Sequence, residues 1–180
     1  HESMCFKNFY AFGQRSIDGL QAVVTGIPSL IGMPTVLSGV SANYSKLAKQ
    51  AEDQGFSHIF VSSMLRRSFR IDSVAASAGF TNFYGKEDIP DILEYEEPND
   101  LGWDYETLMF MAKKIDSMRP PFLAFTFPST DHTPFGKVPP QFRINPHSAT
   151  EEGGYLNTLR YTDWALGEFL NYAKTRPWFP

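Results

Sequence analysis

The chain has 180 residues, enough for one domain with a sizeable core. Its 16 Lys and Arg against 20 Asp and Glu leave a net charge of -4, which offers no basic footprint for nucleic acid. Its one cysteine, Cys5, cannot close an internal disulfide, and no apolar run is long enough to cross a bilayer, so an anchor or export signal is expected outside this chain.

In chain order, an aromatic run reaches Gly13 and is followed by Gln14, Arg15 and Ser16. Ile17, Leu20, Val23 and Val24 then recur at helical spacing until Gly26 and Pro28, so a helix begins at or beside Ser16. Residues 44–55 read as a second helix closing on Gly55. "SHIFVSS" (57–63) has the β-branched and aromatic content of a buried strand. A short helix at 70–80 and a short strand in "TNFYG" come next, and the acidic stretch 86–103, with Pro90 and Pro98, reads as a surface excursion.

From Asp104 a helix places Leu108, Met111, Ala112, Ile115 and Met118 on one face until Pro120 and Pro121 stop it. "FLAFTF" (122–127) is continuously apolar, as a strand covered on both sides would be. Residues 129–149 carry four prolines and no periodicity, the mark of a long loop. In the last segment Leu156, Leu159, Ala165, Leu166, Phe169, Leu170 and Ala173 keep helical register. The alternation predicts an α/β fold, a three-layer α/β/α sandwich around a largely parallel central sheet.

Two places in this order suit chemistry. Ser16 opens a helix, where free N–H groups and the helix dipole favour an anion, and Arg15 beside it offers a donor fork for phosphate oxygens. His132, in "FPSTDHTPF", follows an apolar strand, where open α/β sheets carry ligand loops. Each also has a plain reading: Ser16 as a helix N-cap, His132 as a loop histidine bonded to a carbonyl. "RRSFR" (66–70) reads as a solvated basic turn or as an anion contact, and "EYEEPND" has no metal-loop spacing.

"NFYAFGQRSIDGLQAVVTGIPSL" (8–30) resembles the nucleophile segment of the lipoteichoic acid synthase group, in the sulfatase-like branch of the alkaline phosphatase superfamily. "TDHTPF" (130–135) is similar to that group's Asn-His-x-Pro-Phe loop, and "RYTDWALGEFL" (160–170) to its helix beginning Arg-Tyr-Thr-Asp. "SHIFVSS" through "FRIDSVAASAGFTNFYG" (57–85) fits in order, so the resemblance covers nearly the whole chain.

The resemblance implies an extracytoplasmic, membrane-anchored transferase that moves phosphoglycerol, or a related headgroup, from a glycerophospholipid to an envelope glycan or glycolipid. Ser16 would be both nucleophile and metal ligand, passing through a covalent phosphoserine on a divalent ion (Mn²⁺, Mg²⁺ or Zn²⁺). His132 would contact the phosphoglycerol and Phe69 would lie near the headgroup. Arg15 joins them on charge alone. Ser62 stands where the family has a histidine.

The family's other metal ligands, an acidic residue before the nucleophile segment and an Asp-His pair after the Arg-Tyr-Thr-Asp helix, have no counterpart here. The chain is therefore expected to be an internal part, residues 1–180, of a larger catalytic domain. It would then bind no metal by itself. A phosphodiesterase or phosphatase of the same superfamily, or a sulfatase-like domain without catalysis, fits the same residues. A formylglycine-type sulfatase is not expected, because no Cys/Ser-x-Pro-x-Arg motif occurs.

Overall fold

Alternation along one strand sets the architecture. In strand β1 (Ser57–Ser62), Ile59 and Val61 point to one side and Phe60 to the other, and all three are buried. A strand apolar on both faces needs a layer of helices on each. The computed structural model describes residues 4–28, 46–93, 95, 101–146 and 150–179, and within them it supplies both layers. β1 lies between strand β2 (Phe83–Tyr84) and strand β3 (Phe122–Phe127), and both pairings are parallel. Ser57 faces Phe122 and Ser62 faces Phe127 in register, so β1 and β3 end level.

On the Phe60 side pack helices α1 (Ser16–Thr25), α2 (Leu47–Asp53) and α3 (Ile71–Ser77), through Leu20, Val24, Ala48, Ile71, Val74 and Ala75. On the Ile59 side pack helices α4 (Asp104–Ile115) and α5 (Glu151–Ala173), through Leu108, Met111, Ile115, Tyr161 and Ala165. This is the three-layer α/β/α arrangement that the alternation predicts. Among the described residues no helix is long and apolar enough to cross a membrane.

Several local expectations need correction. The stretch 86–103 is not all surface: Trp103 is 1 % exposed and tilts against Tyr161 with ring centroids 4.9 Å apart. Its acidic middle, apart from Tyr95, lies outside the described residues, as do positions 44–45 of the second helix and 147–149 of the long loop. That loop also contributes to the core through Val138 and Phe142. Finally, Leu159, Leu166 and Leu170 of α5 are exposed although they keep helical register, and the buried stripe runs instead through Asn157, Thr158, Tyr161 and Ala165. β3, expected to be covered on both sides, is only half-buried along its length.

Candidate active site

Parallel strands that end level present their following loops on one side, at the carboxyl edge of the sheet. Here β1 runs into Ser63 and Met64, and β3 ends at Phe127 and runs into the loop that carries His132. The two exits are tied together: the Ser63 N–H donates to the Phe127 carbonyl at 3.2 Å, and the Ser63 and Ser129 hydroxyls lie 2.5 Å apart. A cavity of about 370 Å³ opens at this edge, bounded by Gln14, Arg15, Ser16 and Ile17 around the start of α1, Met64 after β1, Phe69 and Ile71 around the start of α3, Phe127 at the end of β3 and His132 in the loop that follows.

Four of the five residues singled out in the sequence thus meet in one place. Ser16 is the first residue of α1, not its cap; Arg15 holds the cap position, with extended φ and ψ of -114° and 149°. No side chain caps this end, and the Arg15 carbonyl takes the N–H groups of Asp18 (3.0 Å) and Gly19 (3.3 Å). A hydroxyl one position inside the helix is not spent on capping, and the hydroxyl of the exposed Ser16 has no hydrogen-bond partner among the described residues. The Ser16 and Ile17 N–H groups have no acceptor within the helix and lie at its positive end.

Arg15 is less free than its charge suggests. Its guanidinium meets the buried Asp18 carboxylate in two contacts of 3.4 Å, from Nε and one terminal nitrogen. Gly13, at φ 83°, allows the chain to bend back over this pair, since a Cβ there would fall 2.3 Å from that of Asp18. The Arg15 side chain remains 69 % exposed, so the pairing leaves it open to a second anion.

His132 is held by backbone. Its N–H donates to the Ser129 carbonyl at 3.0 Å, and its Nδ1 lies 2.6 Å from the Thr133 carbonyl. A carbonyl only accepts, so Nδ1 carries the proton and Nε2, without one, is left to accept in the cavity. The Phe69 ring stands 6.0 Å from the imidazole, centroid to centroid. Phe69 and Arg70 both have left-handed backbone, at φ 49° and 54°, a strained pair for residues with side chains.

The structure does not bring Ser62 to this cavity. Ser62 is fully buried, and its hydroxyl accepts the Met64 N–H at 3.2 Å. Met64, Ile71 and Phe127 take the wall instead, and sequence reasoning missed them; their place at a strand end, just beyond one, or at a helix start was the available signal. Among the described residues no group of three or more His, Cys, Asp or Glu could hold a metal ion. Ser16 offers one oxygen, so the side chains present do not by themselves fit a divalent ion.

A family model described as Sulfatase matches residues 1–178. Among solved structures, the chain is similar to a protein in the alkaline phosphatase superfamily from Vibrio parahaemolyticus, with a TM-score of 0.77 and 21% identity over 94% of this chain and 41% of that one. It is also similar to the lipoteichoic acid synthase LtaP from Listeria monocytogenes, with a TM-score of 0.70 and 15% identity over 92% of this chain and 41% of that one. The chain thus spans less than half the length of either structure.

Proposed function

The chain belongs to the sulfatase family, and from that premise we propose that it is the nucleophile-bearing part of an extracytoplasmic, membrane-associated transferase moving phosphoglycerol from a glycerophospholipid to an envelope acceptor. The observation that carries this reading is the convergence of Ser16, at a helix N-terminus, with His132 in one cavity whose remaining wall is largely apolar. Free N–H groups, Arg15 and the helix dipole suit a phosphate. Met64, Phe69, Ile71 and Phe127 suit a carbon skeleton attached to it, which inorganic phosphate lacks.

In the first step the Ser16 hydroxyl gives its proton to Nε2 of His132 as its oxygen attacks phosphorus, the Oγ–P bond forms, and the bond from phosphorus to the lipid oxygen breaks. Diacylglycerol leaves with a proton, which His132 can give through Nε2. In the second step an acceptor hydroxyl attacks the phosphoserine, the Oγ–P bond breaks, and the acceptor's proton passes through the same nitrogen to the leaving Ser16 oxygen. Arg15 holds the non-bridging oxygens in both. The divalent ion of the family, when bound, would lower the pKa of the serine hydroxyl; its ligands beyond Ser16 would come from outside the described residues.

The test uses the full-length protein with a phosphatidylglycerol analogue and Mn²⁺, read by peptide mass spectrometry. The expected result is a phosphoglycerol adduct on the peptide containing Ser16, absent in Ser16→Ala, which also loses at least a hundredfold in turnover, on the order of the loss from removing an activated nucleophile. Normal turnover by Ser16→Ala overturns the proposal. Release of glycerophosphate at the same rate with and without acceptor identifies a hydrolase.

A further inference from the structure

We propose that Asp104 is a positioning residue for this site: its carboxylate, shared between the loop after β3 and helix α5, fixes where His132 stands relative to Ser16. The inference rests on the function proposed above for its readout in turnover, but its geometry stands apart from it. Asp104 is the first residue of α4 and is wholly buried. One carboxylate oxygen accepts the N–H groups of Ser129 (3.0 Å) and Thr130 (3.1 Å), and the other accepts the Thr162 hydroxyl at 2.7 Å. The Asp104 N–H in turn donates to the Thr130 hydroxyl at 2.8 Å.

Among the described residues no Lys or Arg pairs with this carboxylate, which is held by neutral donors and by the N-terminus of its own helix. Burial pushes its pKa up, while the bonds from Thr162, Thr130 and Ser129 pull it down. A buried charge of this kind is a poor source of stability, since an apolar residue of similar volume is often as good or better. What it does supply is a defined place for two consecutive peptide units that no apolar contact could specify.

Those units lead directly to the cavity. The Ser129 carbonyl, one residue's breadth from the N–H that Asp104 holds, accepts the His132 N–H, so the imidazole hangs from the anchored peptide by one turn. The Ser129 hydroxyl reaches Ser63 at the end of β1, and Thr162 belongs to α5. Asp104 therefore joins α4, α5 and both strand exits at the point from which His132 departs. In the sequence Asp104 is visible only as the start of a helix.

The experiment is a double-mutant cycle in the full-length protein, with turnover of a phosphatidylglycerol analogue measured for wild type, Asp104→Ala, His132→Ala and the pair. Asp104→Ala should lower kcat/KM by roughly 10- to 100-fold, the scale of an ångström-size misplacement. In the His132→Ala background the same substitution should cost less than about twofold, because the group it positions is gone. Asp104→Asn, whose carbonyl can still accept both N–H groups, should recover most of the loss. Losses that multiply independently in the pair overturn the proposal.

A second readout needs no turnover: the His132 ring signal, assigned by its disappearance in His132→Ala, should move in folded Asp104→Ala and return in Asp104→Asn. An unmoved signal also overturns the proposal. Should Asp104→Ala fail to fold, Thr162→Val removes one partner only and should give a smaller, few-fold loss that again vanishes without His132; a loss that persists there counts against it. Normal turnover by Ser16→Ala would sink the functional reading alone, leaving the ring signal to decide the role of Asp104.

Discussion

Ser16 shows how one residue's place can be read correctly and its local duty wrongly. Small polar residues before an apolar periodic run mark a helix start, and α1 does start there. The same statistics favour a capping hydroxyl, yet Arg15 occupies the cap and the serine hydroxyl stays exposed. Which residue caps depends on backbone angles one position apart, and composition does not carry that. Glu106 is another case hidden from sequence. It is buried on α4, one oxygen accepting the Leu93 N–H at 3.0 Å and the other without a partner among the described residues. Burial raises its pKa. The folded protein thus binds this proton more tightly than the unfolded chain, and the contribution of Glu106 to stability falls as pH rises from the ordinary carboxylate range through the raised value. Glu106→Gln should therefore gain on wild type between pH 4 and pH 8, by about 1 kcal/mol at the upper end. Urea denaturation at both values checks this, and a difference that shrinks with pH would contradict it.

At the scale of elements, strands were more legible than helix faces. β1 and β3 announce themselves by unbroken apolar runs, and their bounds lie within a residue of expectation. α5 misleads because leucine spacing alone does not say which stripe meets the sheet; aromatic Tyr161, packed on Trp103 and Phe142, and small Ala165 decide it. Gly154, in the first turns of α5, carries a second lesson. A Cβ there would lie 2.7 Å from the Phe135 ring and 3.0 Å from its Cβ, so the helix and the His132 loop touch through the absence of a side chain. Alanine normally gains about 1 kcal/mol over glycine inside a helix. Here overpacking of about 1–3 kcal/mol should exceed that gain, and Gly154→Ala should lower the denaturation midpoint and displace the loop. An increase in midpoint would show that Phe135 yields freely.

For the molecule as a whole, the alternating pattern disclosed the layers, and three motifs in order disclosed the family: one at the start of α1, one in the loop after β3 and one inside α5. What stayed illegible was the lateral order β2, β1, β3, because parallel neighbours are joined through helices and not through adjacent turns. The aromatic run before α1 also acquires meaning only in three dimensions: Met4, Phe6, Phe9, Tyr10 and Phe12 are all more than half exposed. Exposed apolar side chains this close in sequence favour self-association. The chain expressed by itself should self-associate with increasing concentration, and Phe6→Ser with Phe9→Ser should reduce this; sedimentation velocity distinguishes the two, and equal association by both would assign the contact to the sheet edges.

The left-handed backbone at Phe69 and Arg70 bears on how this protein would respond to directed evolution. Such conformations cost on the order of 1–3 kcal/mol each for residues with a Cβ, and glycine or asparagine relieves them. Phe69 is also an aromatic wall of the cavity, beside His132. A library screened only for heat tolerance would then enrich Phe69→Gly and Phe69→Asn, and its best survivors would be the variants whose pocket had lost a side. Thermal selection and substrate recognition pull this one position in opposite directions.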